Sequence, residues 1–67
     1  MRVYRGEVYL VDFGIGFGSE QGGIRPAVIV QNNTGNKYSP TTIVVPVASR
    51  QTKRISRHTL ESKVFNI

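Results

Sequence analysis

Apolar residues fall into three short runs, separated by polar and glycine-rich stretches. Glu7–Phe13 is apolar on both of its faces, which predicts a strand that is buried on both sides or covered by a partner. Arg25–Gln31 is rich in β-branched residues, and Thr41–Val47 alternates, so each predicts a further strand. The third run places three β-branched residues on one face of its strand: Ile43, Val45 and Val47.

The segments between and after these runs carry weaker signals. Pro26 and Pro46 lack an N–H, so we expect each of them at a strand start, on an edge or at a bulge. Asn32–Asn36 is rich in Asn and Gly, which predicts a turn. No segment before residue 50 has a 3.6-residue apolar period, so we expect no helix there. Arg54–Val64 is interpreted as a short fourth strand or as disordered.

The length of the chain limits its architecture. It has 67 residues, which predicts one mainly β domain with little buried surface. It has no cysteine and one histidine, which excludes disulfides and predicts no zinc site. Three strands do not close a barrel, and open sheet edges invite pairing with another chain. We therefore expect a homodimer.

Positive charge is concentrated near the C-terminal end. Residues 50–67 hold five of the nine Lys and Arg residues but one of the four Asp and Glu residues. This imbalance favours a polyanion partner such as nucleic acid, the alternative being a solvated tail with no specific task. No apolar run approaches the length of a signal peptide or a membrane span. We expect a cytoplasmic protein that does not contact a membrane.

The segment Gly14–Gly23 is the strongest candidate for a functional loop. It holds five of the seven glycines and connects two predicted strands, a common position for functional residues. Arg25 follows it, and a guanidinium is well suited to binding phosphate. Glu20 would act as a general base or would orient Arg25. The alternatives are a flexible hairpin loop, an exposed acid, and a surface arginine paired with Glu20 or Asp12.

The remaining candidates are aromatic and histidine side chains. Phe17 lies among glycines, so we expect an exposed ring on which a base could stack. Tyr9 and Phe13 are more simply explained as core residues. His58 is the only histidine, so one chain cannot supply the two histidines of a two-histidine mechanism of RNA cleavage.

Four segments carry a further signal: Arg5–Asp12, Gly18–Pro26, Val28–Asn32 and Gly35–Val44. The most specific is G-S-E-Q-G-G-I-R-P at Gly18–Pro26. In these segments the chain resembles the MazF/PemK toxins of bacterial type II toxin–antitoxin systems. The resemblance runs from about residue 4 to about residue 53. It predicts a toxin-like β-barrel core over residues 1–53 and a divergent basic segment over residues 54–67.

The resemblance implies a fold, an activity and partners. The implied fold is an SH3-like, partly open barrel of the PemK/CcdB-like plug type, incomplete here because the family's later strands and C-terminal helix are missing. The implied activity is a metal-independent, sequence-specific endoribonuclease that needs no cofactor. The implied partners are single-stranded RNA, a cognate antitoxin, a second copy of the chain, and DNA through the antitoxin complex.

The resemblance also assigns residues. Arg25 matches the family's catalytic arginine and Glu20 an active-site acid. By the same resemblance, Ser19 and Gln21 lie in the loop that borders the RNA groove. Phe17, in the same loop, is a further candidate substrate contact.

The chain departs from the family pattern after its third strand. Ala48 stands where the family usually has a threonine whose hydroxyl works at the phosphate, and Ser49 offers a hydroxyl one residue later. In a strand, that residue would point to the opposite face unless a bulge re-aimed it. These departures predict reduced or lost cleavage. The alternatives are an inactive toxin body that binds nucleic acid or an antitoxin peptide, and a remnant that only dimerises.

Overall fold

The computed structural model describes residues 2–14 and 22–66. Residues 65 and 66 are described through their backbone alone. The described chain is mainly β, which confirms the predicted class. Its elements follow in chain order: β1 (Glu7–Asp12), β2 (Ile24–Ile29), α1 (Asn33–Tyr38), β3 (Thr41–Pro46), β4 (Lys53–Ser56), a 3-10 turn (Arg57–Thr59) and β5 (Leu60–Asn66).

The strands form one antiparallel sheet with the order β4-β3-β2-β1-β5. β4 and β5 are its two edges, so the sheet is open. It is also strongly curved. In a flat sheet, the register would place Lys53 of β4 level with Glu7, so Lys53 and Phe13 would be separated by about 14 Å across the strands and about 20 Å along them. The Nζ atom of Lys53 nevertheless lies 6.0 Å from the ring centroid of Phe13, the residue after β1. This curvature gives the sheet the form of an incomplete barrel.

The first predicted strand is buried on both sides, as its sequence indicates. Val8 and Tyr9 point to opposite faces of β1, and each is only 3% exposed. The core lies on the concave side, here called the inner face, which Tyr9 shares. Its buried members are Val3, Tyr9, Val11, Ala27, Ile29, Val44 and Leu60, and Phe13 and Ile55 pack against them. The prediction that Tyr9 and Phe13 are core residues is confirmed.

The third strand ends one residue earlier than predicted. β3 stops at Pro46, and the Ser49 N–H donates to the Pro46 carbonyl over 2.9 Å to close a turn. Val47 therefore lies outside the strand and is 56% exposed. The face of β3 that carries Thr42, Val44 and Pro46 points into the core, and the face predicted from Ile43, Val45 and Val47 points away from it.

The segment after residue 50 contains two strands, so the prediction of one short strand or disorder is wrong. β4 is mostly polar, and only Ile55 packs against the core. β5 pairs with β1 through two register shifts. Each shift breaks the alternation of side chains, so β5 has no two-residue apolar period that a sequence pattern could reveal.

The prediction of a turn without a helix at Asn32–Asn36 is also wrong, because α1 begins at Asn33. The Asn32 side chain caps it by accepting from the Gly35 N–H over 2.7 Å, a common N-terminal arrangement. The Ser39 N–H closes the last turn on the Gly35 carbonyl. Pro40 follows, which favours the extended conformation seen at Ser39.

Asn36 holds α1 against the sheet. It is fully buried, and its Oδ1 accepts from Thr42 Oγ1 at 2.6 Å and from Gln31 Nε2 at 3.0 Å. Its Nδ2 donates to the Gln31 carbonyl at 2.9 Å. A Cβ at Gly35 would approach the Gln31 side chain to 3.1 Å, so the small residue there leaves room for this network. Tertiary hydrogen bonds therefore stabilise a helix whose sequence favours a turn.

Candidate functional site

A short ladder closes the base of the glycine-rich loop. The Phe13 N–H donates to the Gly23 carbonyl at 2.9 Å, and the Gly23 N–H donates to the Gly14 carbonyl at 2.6 Å. Gly14 and Gly23 have φ values of 74° and 81°, where glycine is favoured. The Asp12 Oδ1 accepts from the Gly14 N–H at 2.8 Å. The β1–β2 hairpin thus continues to the mouth of the loop.

Arg25 lies on the inner face, directly beside this mouth. It is opposite Val11 in the β1–β2 register and is half-buried. Its Nε donates to the Gly22 carbonyl at 3.1 Å, which fixes the start of the guanidinium. Asp12 pairs with Ile24 in that register, so it lies on the opposite face of the sheet. The alternative of an Arg25–Asp12 ion pair is therefore wrong.

The side chains of Phe13 and Lys53 lie on the inner face beside Arg25. These three residues, Phe13, Arg25 and Lys53, are here called the Arg25 cluster. Lys53 is half-buried and lies over the Phe13 ring, as described above. Val44 pairs with Lys53 and with Ile29, which places Lys53 on the inner face. Lys53 was not among the site residues predicted from the sequence. Alternation from the inward-facing Ile55 would have indicated its direction.

The turn after β3 lies next to the strand that carries Arg25. The Val47 N–H donates to the Pro26 carbonyl at 2.9 Å. Ser49 is half-buried, and its Oγ accepts from the Gln51 N–H at 3.2 Å. Because the strand ends before Ala48, the two-face alternation expected for Ala48 and Ser49 does not apply. The turn, not a bulge, sets the direction of the Ser49 hydroxyl.

Ala48 is strained. Its φ is 70°, in the left-handed region that costs an L-residue with a Cβ about 1 kcal/mol or more. We predict that Ala48→Gly raises the free energy of unfolding by about 1 kcal/mol. Ala48→Thr lowers the free energy of unfolding, because a β-branched side chain is least tolerated at a positive φ. Urea unfolding followed by circular dichroism measures both changes.

The matched control is Thr52→Gly. Thr52 is exposed and has no positive φ, so a glycine there adds chain entropy without relieving strain. An Ala48→Gly protein that is no more stable than the wild type would contradict the assignment of strain to this turn.

A buried carboxylate lies at the other end of the inner face. Glu7 is 7% exposed, and its Oε2 lies 2.6 Å from Lys63 Nζ on β5. Its Oε1 accepts from the Tyr4 N–H at 2.7 Å and lies 3.5 Å from the Tyr9 hydroxyl. Glu7 thereby ties the N-terminal turn and β5 to β1. This end of the face is occupied by a satisfied ion pair.

These contacts shift the pKa values of Glu7, Tyr9 and Lys63 from their ordinary values. Burial raises the pKa of Glu7, but the hydrogen bonds from Lys63 and the Tyr4 N–H, together with the Lys63 charge, outweigh it, so the pKa lies below its ordinary value. Burial and the Glu7 charge raise the pKa of Tyr9. The hydrogen bond to Glu7 raises the pKa of Lys63.

The signs of these shifts define a pH window. A carboxyl with a lowered pKa stabilises the fold above its unfolded pKa and loses that contribution as pH falls through the folded value. A lysine with a raised pKa stabilises the fold below its unfolded pKa and loses that contribution as pH rises through the folded value. The Glu7–Lys63 pair therefore stabilises the fold across neutral pH.

Four of the proposed site residues lie outside the described residues: Phe17, Ser19, Glu20 and Gln21. Their roles stay predictions. Within residues 2–14 and 22–66, no three His, Asp or Glu side chains converge to hold a metal ion. In the same part of the chain, no helix has the length and apolar character needed to cross a membrane.

Comparison with known protein families gives a match over nearly the whole chain. Residues 4–66 match the family described as PemK-like, MazF-like toxin of type II toxin–antitoxin systems. The matched range includes all five strands of the sheet, the Arg25 cluster and the turn at Ala48. It also extends beyond residue 53, where the resemblance noted in the sequence ended. The chain belongs to this family of toxins.

Proposed function

We propose that this toxin is an endoribonuclease that cleaves single-stranded RNA at short sequence motifs without a metal ion. The observation that carries the proposal is the position of Arg25. A half-buried arginine faces the concave side of the sheet, beside the mouth of a glycine-rich loop and the Ser49 turn. A guanidinium held in this way presents a planar set of donors to a phosphate.

The proposed reaction uses the 2′-hydroxyl of the RNA as its nucleophile. The 2′-oxygen forms a bond to the adjacent phosphorus while the bond to the 5′-oxygen breaks. One proton leaves the 2′-hydroxyl for a general base, and a general acid donates another to the departing 5′-oxygen. The products are a 2′,3′-cyclic phosphate and a 5′-hydroxyl. Negative charge increases on the phosphoryl oxygens, where fixed donors lower the barrier.

Each proposed site residue has one task in this reaction. Arg25 binds the phosphoryl oxygens, and Glu20 takes the proton from the 2′-hydroxyl. Ser49 supplies a hydroxyl near the phosphate in place of the missing threonine. The three loop residues Phe17, Ser19 and Gln21 contact the RNA on either side of the cleaved bond. Lys53 adds positive charge to the same face.

The proposed partners follow from the family and from the open sheet. A toxin of a type II system has a cognate antitoxin, and we propose that DNA is bound through the toxin–antitoxin complex. We further propose a homodimer. β4 and β5 leave two strand edges unpaired among the described residues, and the apolar residues Ile24 and Val47 are each more than half exposed. Such edges and side chains favour association.

The test of the proposed function is cleavage of a mixed-sequence single-stranded RNA in the presence of EDTA. We expect discrete fragments whose masses show a 2′,3′-cyclic phosphate on one side and a 5′-hydroxyl on the other. The fully 2′-O-methylated RNA should remain intact, because it lacks the nucleophile. Intact unmodified RNA, or fragments with other end groups, would refute the proposed chemistry.

The second candidate function is binding without cleavage, and Ala48 favours it. The residue carries no hydroxyl and has a strained backbone, so one contact at the phosphate is lost or displaced to Ser49. On this alternative, the chain binds single-stranded RNA with a strong salt dependence but releases no product. The same RNA titrated at two salt concentrations distinguishes the two functions.

A further inference from the structure

A basic surface lies on the outer face of the β4 edge, beside the start of β3. The segment that follows α1, residues 39–41, meets β4 and the 3-10 turn there through three contacts. Arg54 Nη1 donates to Thr41 Oγ1 at 3.2 Å, and Arg57 donates through Nη2 to the Ser39 carbonyl and through its backbone N–H to the Pro40 carbonyl. Residues 37–41 and 54–58 therefore form one continuous surface.

This surface, here called the α1–β4 surface, consists of two cations, an imidazole and an aromatic ring: Lys37, Arg54, His58 and Tyr38. All four are exposed, and Tyr38 is 75% exposed, more than the other exposed large hydrophobic residues of the described chain. Lys37 Nζ lies 5.3 Å from the centroid of the Tyr38 ring. Within the described residues, Lys37, Arg54 and His58 form no ion pair with a carboxylate.

The position of this surface is set by β3. Arg54 bonds to Thr41, the first residue of the strand. Pro46, the last residue, leads into the turn beside Pro26 and Arg25. Five residue steps at about 3.3 Å separate the two ends by roughly 17 Å. The same length holds about five phosphates of a stacked single strand at its spacing of about 3.4 Å.

We propose that the α1–β4 surface is a second binding site for single-stranded RNA, with phosphates on Lys37 and Arg54 and a base stacked on Tyr38. Cations that follow a backbone beside an exposed aromatic ring are the usual features of single-strand binding. An acidic peptide would use the cations but would have no need of an unburied tyrosine ring. The inference rests on the proposed function, because it takes RNA as the substrate, and it extends the bound RNA beyond the cleaved bond.

The experiment measures binding separately from cleavage. A fluorescein-labelled, fully 2′-O-methylated RNA 12-mer of mixed sequence is titrated with the protein at several salt concentrations, and anisotropy is recorded. We expect Tyr38→Ala to weaken binding about tenfold. Lys37→Ala together with Arg54→Ala should reduce the slope of log K against log salt by about 1.4, since each single-strand phosphate contact contributes about 0.7.

A matched pair of control residues lies elsewhere on the chain. Arg2 is exposed and lies 5.1 Å over the ring of Tyr4, which is 44% exposed. Arg2→Ala and Tyr4→Ala remove the same kind of cation and ring and should change affinity less than twofold. Thermal melts of all variants check that they fold, which we expect because the altered side chains are exposed.

The outcomes separate this inference from the proposed function. Tyr38-dependent binding without cleavage of unmodified RNA would refute the nuclease and leave the second site standing. Equal affinities for the Tyr38→Ala and Tyr4→Ala proteins, or no binding by the wild type, would overturn the site. A polyglutamate peptide that binds with the same dependence on Tyr38 would overturn its assignment to nucleic acid.

Discussion

Replacing Arg25 by alanine should lower the rate of RNA cleavage by a factor of about 10² to 10³, with little change in stability. The size of the loss is that of one preorganised donor to a charge that develops in the transition state. Arg25 is half-buried and is held by Gly22 at its Nε. Its guanidinium therefore reaches the phosphate without being reordered during the reaction.

Arg25→Lys tests whether charge alone is sufficient. A lysine keeps the positive charge but lacks the planar fork and the Nε that bonds to Gly22. We expect its rate to lie between those of the wild type and Arg25→Ala. Single-turnover cleavage of the same RNA, with EDTA present, gives the three rates.

The control for this series is Arg2→Ala. It removes one exposed arginine that lies outside the inner face, so cleavage should stay within about twofold of the wild type at moderate salt. If Arg25→Ala cleaves as fast as Arg2→Ala, Arg25 does not act at the phosphate and the proposed mechanism is wrong.

Asn36→Ala should destabilise the fold by about 2 to 4 kcal/mol. Asn36 is fully buried and satisfies Thr42 and Gln31 at once. Removing it leaves the Thr42 hydroxyl and the Gln31 groups without that partner, and each unsatisfied buried group costs about 1 to 3 kcal/mol. A chain of this length has a small reserve of stability, so we expect much of the variant to be unfolded at 37 °C.

Urea unfolding measures this loss, and Thr34→Ala serves as its control. Thr34 lies on α1 but is exposed, and its replacement should change stability by no more than about 0.5 kcal/mol. The double variant with Thr42→Val reveals the coupling, because removing both partners leaves fewer orphaned groups than removing one. An Asn36→Ala protein as stable as Thr34→Ala would show that the network does not hold α1 in place.

Sequence patterns were sufficient where one strand buries both of its faces. β1 carries apolar residues at successive positions, and the fold buries Val8 and Tyr9 equally. They failed at α1, because Asn and Gly favour turns locally while the hydrogen bonds of Asn36 form only when β3 is in place. They also failed at β5, where the two register shifts remove the alternation that defines a strand.

The candidate site, like the fold, could be predicted from the sequence only in part. The arginine and the loop before it were identifiable from residue types and from the resemblance. The inner face was not, because it depends on register: Arg25 faces inward since it pairs with Val11, and Asp12 faces outward since it pairs with Ile24. Lys53 joins Phe13 only because the sheet curves. Side chains brought together by curvature are distant in sequence and leave no local pattern.

The pairing of β1 with β5 bears on how the toxin is made. β1 leaves the ribosome before the other four strands, yet residues 60–66 form its second neighbour in the sheet. One edge of β1 therefore stays unpaired until almost all of the described chain has been synthesised. Pairings between such distant segments form slowly. A nascent toxin should accordingly gain its inner face, and any activity that depends on it, only after translation has passed β5.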